Sequence, residues 1–145
     1  MEIPTYVTVE EVQRVCREMG IRDWTALESK QALPEEARKI LSIVNVMGME
    51  IPLSDFLQGL DVELEHGTTF EDANVTNNHP ILTGKIVLAH LKETMDYYKR
   101  LDVVELEGDL LKAAKSGDGE KIQRIYQKWL AAKQILINSE TGELG

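Results

Sequence analysis

Apolar residues recur three and four positions apart along most of this chain, and glycine or proline stands near the ends of these runs. The runs are Val12, Val15, Cys16 and Met19; Ala37, Ile40, Leu41, Val44 and Met47; Leu53, Leu57, Leu60 and Leu64; and Ile122, Ile125, Tyr126, Trp129 and Leu136. This spacing places an apolar stripe on each of a series of α-helices. No segment of the sequence shows the strict alternation of a half-buried β-strand. The sequence therefore predicts an all-α protein, a helical bundle of about five to seven helices.

Capping residues give the predicted helices their boundaries. Thr8 and Glu11 have the spacing of a capping box, and Gly20 ends the first helix. Pro34 suits the first position of the next helix, which Gly48 ends. We expect a single domain over residues 1–145, with N-terminal helices at 8–48, a motif-bearing core at about 52–115 and a C-terminal helix at 119–137. Asn78 is the expected cap of a helix that begins near Pro80, and the polar tail from Asn138 is expected to fray.

The charge of the chain excludes one class of partner. The net charge is −9, and six acidic residues but no lysine or arginine lie between Asp55 and Gly84. Such a surface repels phosphate backbones, and no basic recognition helix is present, so we expect no nucleic-acid partner. The same segment would attract cations.

Location follows from the segments that the sequence lacks. The start, Met1 to Pro4, has neither the basic nor the apolar stretch of a signal peptide, and no apolar run approaches the length of a membrane span. Cys16 is the only cysteine, and its spacing suggests core packing. We therefore expect a cytoplasmic protein without a membrane partner.

Histidine and glutamate form pairs on two successive predicted helices. Advancing 100° per residue along 81–101 places His90 near the middle of the apolar face, opposite Lys85, Lys92 and Lys99. We therefore expect the His90 ring to be buried. Glu93 follows one turn later, where a side chain can point at the same centre.

Glu63 and His66 form the matching pair on the preceding helix, with Glu65 between them. If the two helices pack antiparallel, the pairs can face each other. Imidazoles and carboxylates together suit Zn, Fe or Mn. The predicted metal ligands are Glu63, Glu65, His66, His90 and Glu93. His79, in the intervening loop, is expected to be exposed but within reach of the site.

Part of this region also resembles a known family. The segments are Val62-Glu63-Leu64-Glu65-His66, Ile86-Val87-Leu88-Ala89-His90-Leu91-Lys92-Glu93, and Asp96-Tyr97-Tyr98 with Leu101. They resemble a family of small uncharacterised bacterial and phage domains, a domain of unknown function with V-E-x-E-H, A-x-H-L-x-E and Tyr-Tyr motifs. The resemblance covers roughly residues 59–106, leaving the first 50 residues and the last helix outside. It implies that the His/Glu residues, Tyr97 and Tyr98 belong to one unit, and it implies no activity.

Two functions remain open. The first is a helical protein with a His/Glu divalent-metal site of unassigned activity. The second is a non-enzymatic interaction or phage-related accessory module, in which His90 bonds to Glu63 or Glu65 and the cluster is a structural hydrogen-bond network. In that case His66 is a cation favoured by the helix C-terminus. A homodimer is compatible with both, and the sequence does not identify another protein partner.

Overall fold

A computed structural model describes residues 6–144. The expectation that residues 1–4 do not begin a signal peptide therefore lies outside the described residues. Every regular element in residues 6–144 is a helix, which confirms the all-α class. The α-helices are α1 (Val9–Met19), α2 (Pro34–Val44), α3 (Leu53–Gly67), α4 (Pro80–Glu93), α5 (Tyr97–Ser116) and α6 (Gly119–Leu144). Short 3₁₀ turns lie at Trp24–Ala26 and Glu71–Ala73. In this described range, no helix is both long and apolar enough to cross a membrane.

By its contacts the chain divides into two compact units, Met1–Met95 and Asp96–Gly145. The first unit holds α1 to α4, and the second holds α5 and α6. The expected single-domain organisation stays a prediction.

The core of the first unit is built where α2, α3 and α4 meet. Side chains from all three helices are fully buried there, including Ile40, Phe56, Leu60 and Val87. Gly84 lets α4 approach α2 closely, because a Cβ atom at this position would lie 2.3 Å from Ile40 Cγ2. Phe56 is not one of the leucines of the predicted α3 stripe, yet its ring is fully buried.

The predicted caps are correct at the ends of α1. Thr8 accepts a hydrogen bond from Glu11 N, and Gly20 adopts the left-handed conformation with φ +61°. The second half of the predicted capping box was wrong, because the Glu11 carboxylate accepts from Arg14 instead. Two other boundaries were wrong. Helix α2 ends at Val44, because Asn45 closes the turn and its side chain bonds to the Met49 backbone. The cap of α4 is His79 and not Asn78.

Glu36 fixes the start of α2 to the connector before it. Its carboxylate is buried and accepts hydrogen bonds from Arg22 Nε at 2.9 Å, Arg22 Nη2 at 2.7 Å, Arg22 N at 3.1 Å and Leu33 N at 2.9 Å. Burial raises the pKa of Glu36, but the bonds from Arg22 and the two backbone N–H groups outweigh it and hold the pKa below its usual value.

The second unit is a helical hairpin. Gly117, with φ +69°, ends α5, and α6 begins two residues later and packs along α5. Helix α6 runs to Leu144, so the predicted end near residue 137 was wrong. The fraying of the tail stays a prediction. Ala113 and Ala132 are the small buried side chains that let two such long helices lie close together.

Candidate functional site

His90 lies between two carboxylates. Its Nε2 atom is 3.7 Å from Glu63 Oε1, and its Nδ1 atom is 3.9 Å from Glu93 Oε2. The side chain of His90 is 30% exposed, so the expectation that it is buried was wrong. The buried face of α4 is centred on Val87 and Leu91, and His90 falls at its border. His90 therefore links α3 to α4 at the rim of the core.

Glu63 and His66 line one cavity at the carboxyl end of α3. Its volume is about 160 Å³, and its lining continues through Thr76, Thr83 and Ile86. His66 Nδ1 donates a hydrogen bond to Val62 O at 3.1 Å, because a carbonyl can only accept. The Nε2 atom is then the basic nitrogen of a neutral His66 ring. The structure thus brings Glu63 and His66 together, and Glu63 also reaches His90.

Glu65 lies outside this neighbourhood. Its side chain is exposed and does not line the cavity, while its carbonyl oxygen accepts from Thr69 Oγ1 and from Lys30 Nζ at 3.3 Å. Across residues 6–144, no three His, Cys, Asp or Glu side chains converge closely enough to hold a metal ion. Four of the five predicted ligands, all except Glu65, are therefore neighbours in pairs, and the five do not form one shell. The metal site stays a prediction.

His79 has a role that the sequence interpretation missed. The ring is buried, contrary to the expected exposure, and Nδ1 accepts hydrogen bonds from Ile81 N at 3.2 Å and Leu82 N at 3.4 Å. Burial lowers the pKa of His79, which favours the neutral ring that this cap requires. The signal available in the sequence was its place directly before Pro80, since proline favours the first position of a helix.

The residues after Met95 lie in the second unit. Tyr97 and Tyr98 are in edge-to-face contact, with ring centroids 5.2 Å apart. Asp96 precedes the first residue of α5, but its side chain makes no capping bond. Its buried carboxylate instead pairs with Arg100 at 2.6 Å, and Arg100 reaches Glu140 at 2.9 Å.

Helix α6 carries two apolar stripes. One is buried or half-buried along α5 and consists of Ile122, Ile125, Trp129, Ala132 and Leu136. The other lies about 100° further around the helix and contains Tyr126, Leu130 and Ile137, each about half exposed. Tyr126 was expected on the packed stripe, whereas its ring stacks on Trp129 from the exposed side, with centroids 5.5 Å apart.

Val104 and Leu111 of α5 extend this exposed stripe. Trp129 Nε1 donates to Glu107 Oε1 at 3.1 Å, and Glu107 lies between Val104 and Leu111 along α5. Because the two helices run antiparallel, this bond places the exposed apolar side chains of both helices on the same side of the hairpin. We call Val104, Leu111, Tyr126, Leu130 and Ile137 the hairpin face; their exposed fractions lie between 47% and 61%.

The sequence interpretation did not single out the hairpin face. Its signal was present, since Val104 and Leu111 are seven residues apart, as are Leu130, Ile137 and Leu144. A repeat of seven is typical of helix surfaces that pack against another helix.

Comparison with known proteins identifies a family. The model of a family described as "Protein of unknown function (DUF5661)" matches residues 12–107, about two thirds of the chain. The match begins well before the segment that carries the resemblance, so it includes the N-terminal helices, which lie outside the resemblance. Neither a curated protein nor a solved structure matches the chain.

Proposed function

The chain belongs to the DUF5661 family, and we propose that it serves as a protein-interaction module without enzymatic chemistry of its own. The observation that carries this proposal is the hairpin face, five large apolar side chains held side by side and about half exposed. Contiguous apolar patches on soluble proteins commonly mark contact surfaces.

The His/Glu residues have a structural role in this proposal. Glu63 of α3 and His90 of α4 meet across the two helices at 3.7 Å. A polar contact at the rim of an apolar interface disfavours other registers, because a shifted helix would leave its polar groups without partners. The pair thus stabilises one alignment of α3 on α4.

The proposal is tested by asking whether the hairpin face is dispensable for folding. The double variant Leu130→Gln/Ile137→Gln should unfold in urea within about 0.5 kcal/mol of the parent protein, because exposed positions contribute little to stability. Measurement at about 1 μM keeps association from contributing. Ala132→Gln, on the buried stripe of the same helix, is the matched control and should lower the free energy of unfolding by about 1–3 kcal/mol. A loss in the double variant as large as in the control would show that the face belongs to the fold and would refute the proposal.

A divalent-metal site is the second candidate. It is supported by the cavity shared by Glu63 and His66, and by the bond from His66 Nδ1 to Val62 O. Histidine ligands commonly donate their second ring N–H to such a carbonyl, which leaves Nε2 for the metal. His90, whose Nε2 atom lies 3.7 Å from Glu63 Oε1, is a further donor of this set. Zn, Fe or Mn would suit these donors.

Elemental analysis of untagged protein tests the metal candidate. After incubation with Zn, Fe or Mn and gel filtration, the bound metal should approach about one per chain. His66→Gln and Glu63→Gln should remove it, whereas Glu65→Gln, at the neighbouring exposed carboxylate, should retain it. Less than about 0.2 metal per chain with all three ions would exclude a stable site.

A further inference from the structure

We propose that the hairpin face binds the hairpin face of a second copy of this chain, with the two α6 helices antiparallel. The inference rests on the proposed role of that face in interaction and specifies its partner. It follows from the spacing, charge and size of the face.

The spacing fits a helical partner. Leu130, Ile137 and Leu144 follow one another at intervals of seven on α6, and Val104 and Leu111 do so on α5. Side chains repeated every seven residues stay aligned with a neighbouring helix over several turns. A second hairpin offers the same repeat and would complete a four-helix arrangement, in which each long helix has more than one neighbour.

The exposed stripe of α6 is also free of charge over its full length. Around the helix axis, Tyr126 and Gln127 mark the two edges of a sector of about 100°. The exposed side chains in this sector are Tyr126, Leu130, Ile137, Leu144, Gln123, Gln127, Gln134 and Thr141. Charged residues are excluded from this sector, although 28% of the chain is charged. Depletion of charge is characteristic of the centre of protein interfaces.

The charges outside the stripe favour the antiparallel sense. Residues 119–133 hold four basic residues and one acidic residue, whereas residues 134–144 hold two acidic residues and no basic one. An antiparallel pair brings the basic half of each α6 near the acidic end of the other, and a parallel pair brings like charges together. Antiparallel helix dipoles also attract each other.

The area is sufficient for a stable contact. Twenty residues of overlap along two adjacent helices give a face of about 30 Å by 20 Å. Such a face buries roughly 600 Å² per copy, and flanking side chains bring it towards the value of about 800 Å² per partner that is usual for specific complexes.

Sedimentation equilibrium of the full chain tests the proposal. Between about 1 and 200 μM, the weight-average mass should rise from 16.4 kDa towards twice that value. Leu130→Glu/Ile137→Glu should stay monomeric throughout. Ile135→Glu is the matched control, because Ile135 is 54% exposed on the same helix but outside the hairpin face, and it should dimerise like the parent protein. A parent chain of constant mass, or a double variant that still doubles, overturns the inference.

Cross-linking tests the antiparallel arrangement. In an antiparallel pair, Gln134 lies near the two-fold axis and meets its own copy, whereas the two Gln123 positions are separated by about 30 Å along the helices. Under oxidation, Gln134→Cys should give a covalent dimer and Gln123→Cys should not. Cross-linking of both variants indicates a parallel pair and overturns this arrangement. The stability test of the proposed function is made on dilute monomer, so a failure to dimerise leaves its result unaffected.

Discussion

Replacing Glu36 by Gln should cost far more stability than a surface carboxylate normally contributes. Glu36 accepts four hydrogen bonds, three from Arg22 and one from Leu33 N, and its side chain is 2% exposed. The amide nitrogen of glutamine cannot accept, so the two N–H groups that bond to one carboxylate oxygen lose their acceptor. A hydrogen bond to a charged group contributes about 1.5–3 kcal/mol.

The Arg22 side chain is 38% exposed, so water replaces part of what it loses. We therefore expect Glu36→Gln to lower the free energy of unfolding by about 3 kcal/mol, near the lower limit for breaking a buried pair. The melting temperature should fall by about 10 °C in a chain of this size. Urea unfolding followed by circular dichroism measures the free energy of unfolding, and thermal unfolding measures the melting temperature. Glu35→Gln, at the exposed neighbour in the same helical turn, is the matched control and should change stability by less than about 0.5 kcal/mol.

The difference in the free energy of unfolding between the parent protein and Glu36→Gln should also depend on pH. The folded-state pKa of Glu36 is lowered from 4.5. Its carboxylate therefore contributes its full stability above pH 4.5 and loses it as the pH falls through the folded-state value. This difference in stability should be constant near neutral pH and should become smaller in acid. The reasoning would be refuted if Glu36→Gln and Glu35→Gln lost equal stability. It would also be refuted if the stability difference between the parent protein and Glu36→Gln became larger in acid.

Replacing two helical glycines by alanine should change the free energy of unfolding in opposite directions. Gly84→Ala should lower it by about 1–2 kcal/mol, because overpacking outweighs the gain in helix propensity. The new Cβ atom would lie 2.3 Å from Ile40 Cγ2. A Cβ atom at Gly108 would meet no other atom within 4 Å, so Gly108→Ala should stabilise the chain, by about 0.5–1 kcal/mol. Urea titration measures both changes. Stability changes of the same sign in the two variants would contradict the packing argument. His79→Asn should retain a capping oxygen but lose a pH dependence. Because burial lowers the folded-state pKa of His79 from 6.5, the parent should lose stability as the pH falls below 6.5 and through the lowered value, and the variant should lose less. An identical acid slope in both proteins would show that His79 does not titrate in this way.

The helix ends that the sequence predicted correctly depend on bonds that close over a few residues. Thr8 reaches only to Glu11, Pro34 restricts only its own turn, and Gly20 needs only its left-handed backbone. Such signals can be read without knowing the rest of the fold. The boundaries that were wrong had competing local partners, as at Asn45, where a side-chain bond to Met49 ends α2 before Gly48.

The candidate site was only partly predictable. Helical spacing correctly paired His90 with Glu93 and Glu63 with His66 in sequence, and the contact between Glu63 and His90 agrees with the facing pairs expected for these helices. Spacing could not show that Glu65 points to solvent, because one turn of helix presents residues to every side. It also could not show that His79 is buried.

The sequence by itself determined that the chain is helical and where most helices begin, because periodicity and caps act within a few residues. Only the tertiary structure decided which polar groups are buried and which apolar groups are not. Glu36 is buried because Arg22, fourteen residues earlier, reaches it. The hairpin face stays exposed because α5 covers only one of the two apolar stripes of α6. A residue's neighbours in space, and not its own type, set these outcomes, because burial depends on which distant segment covers it.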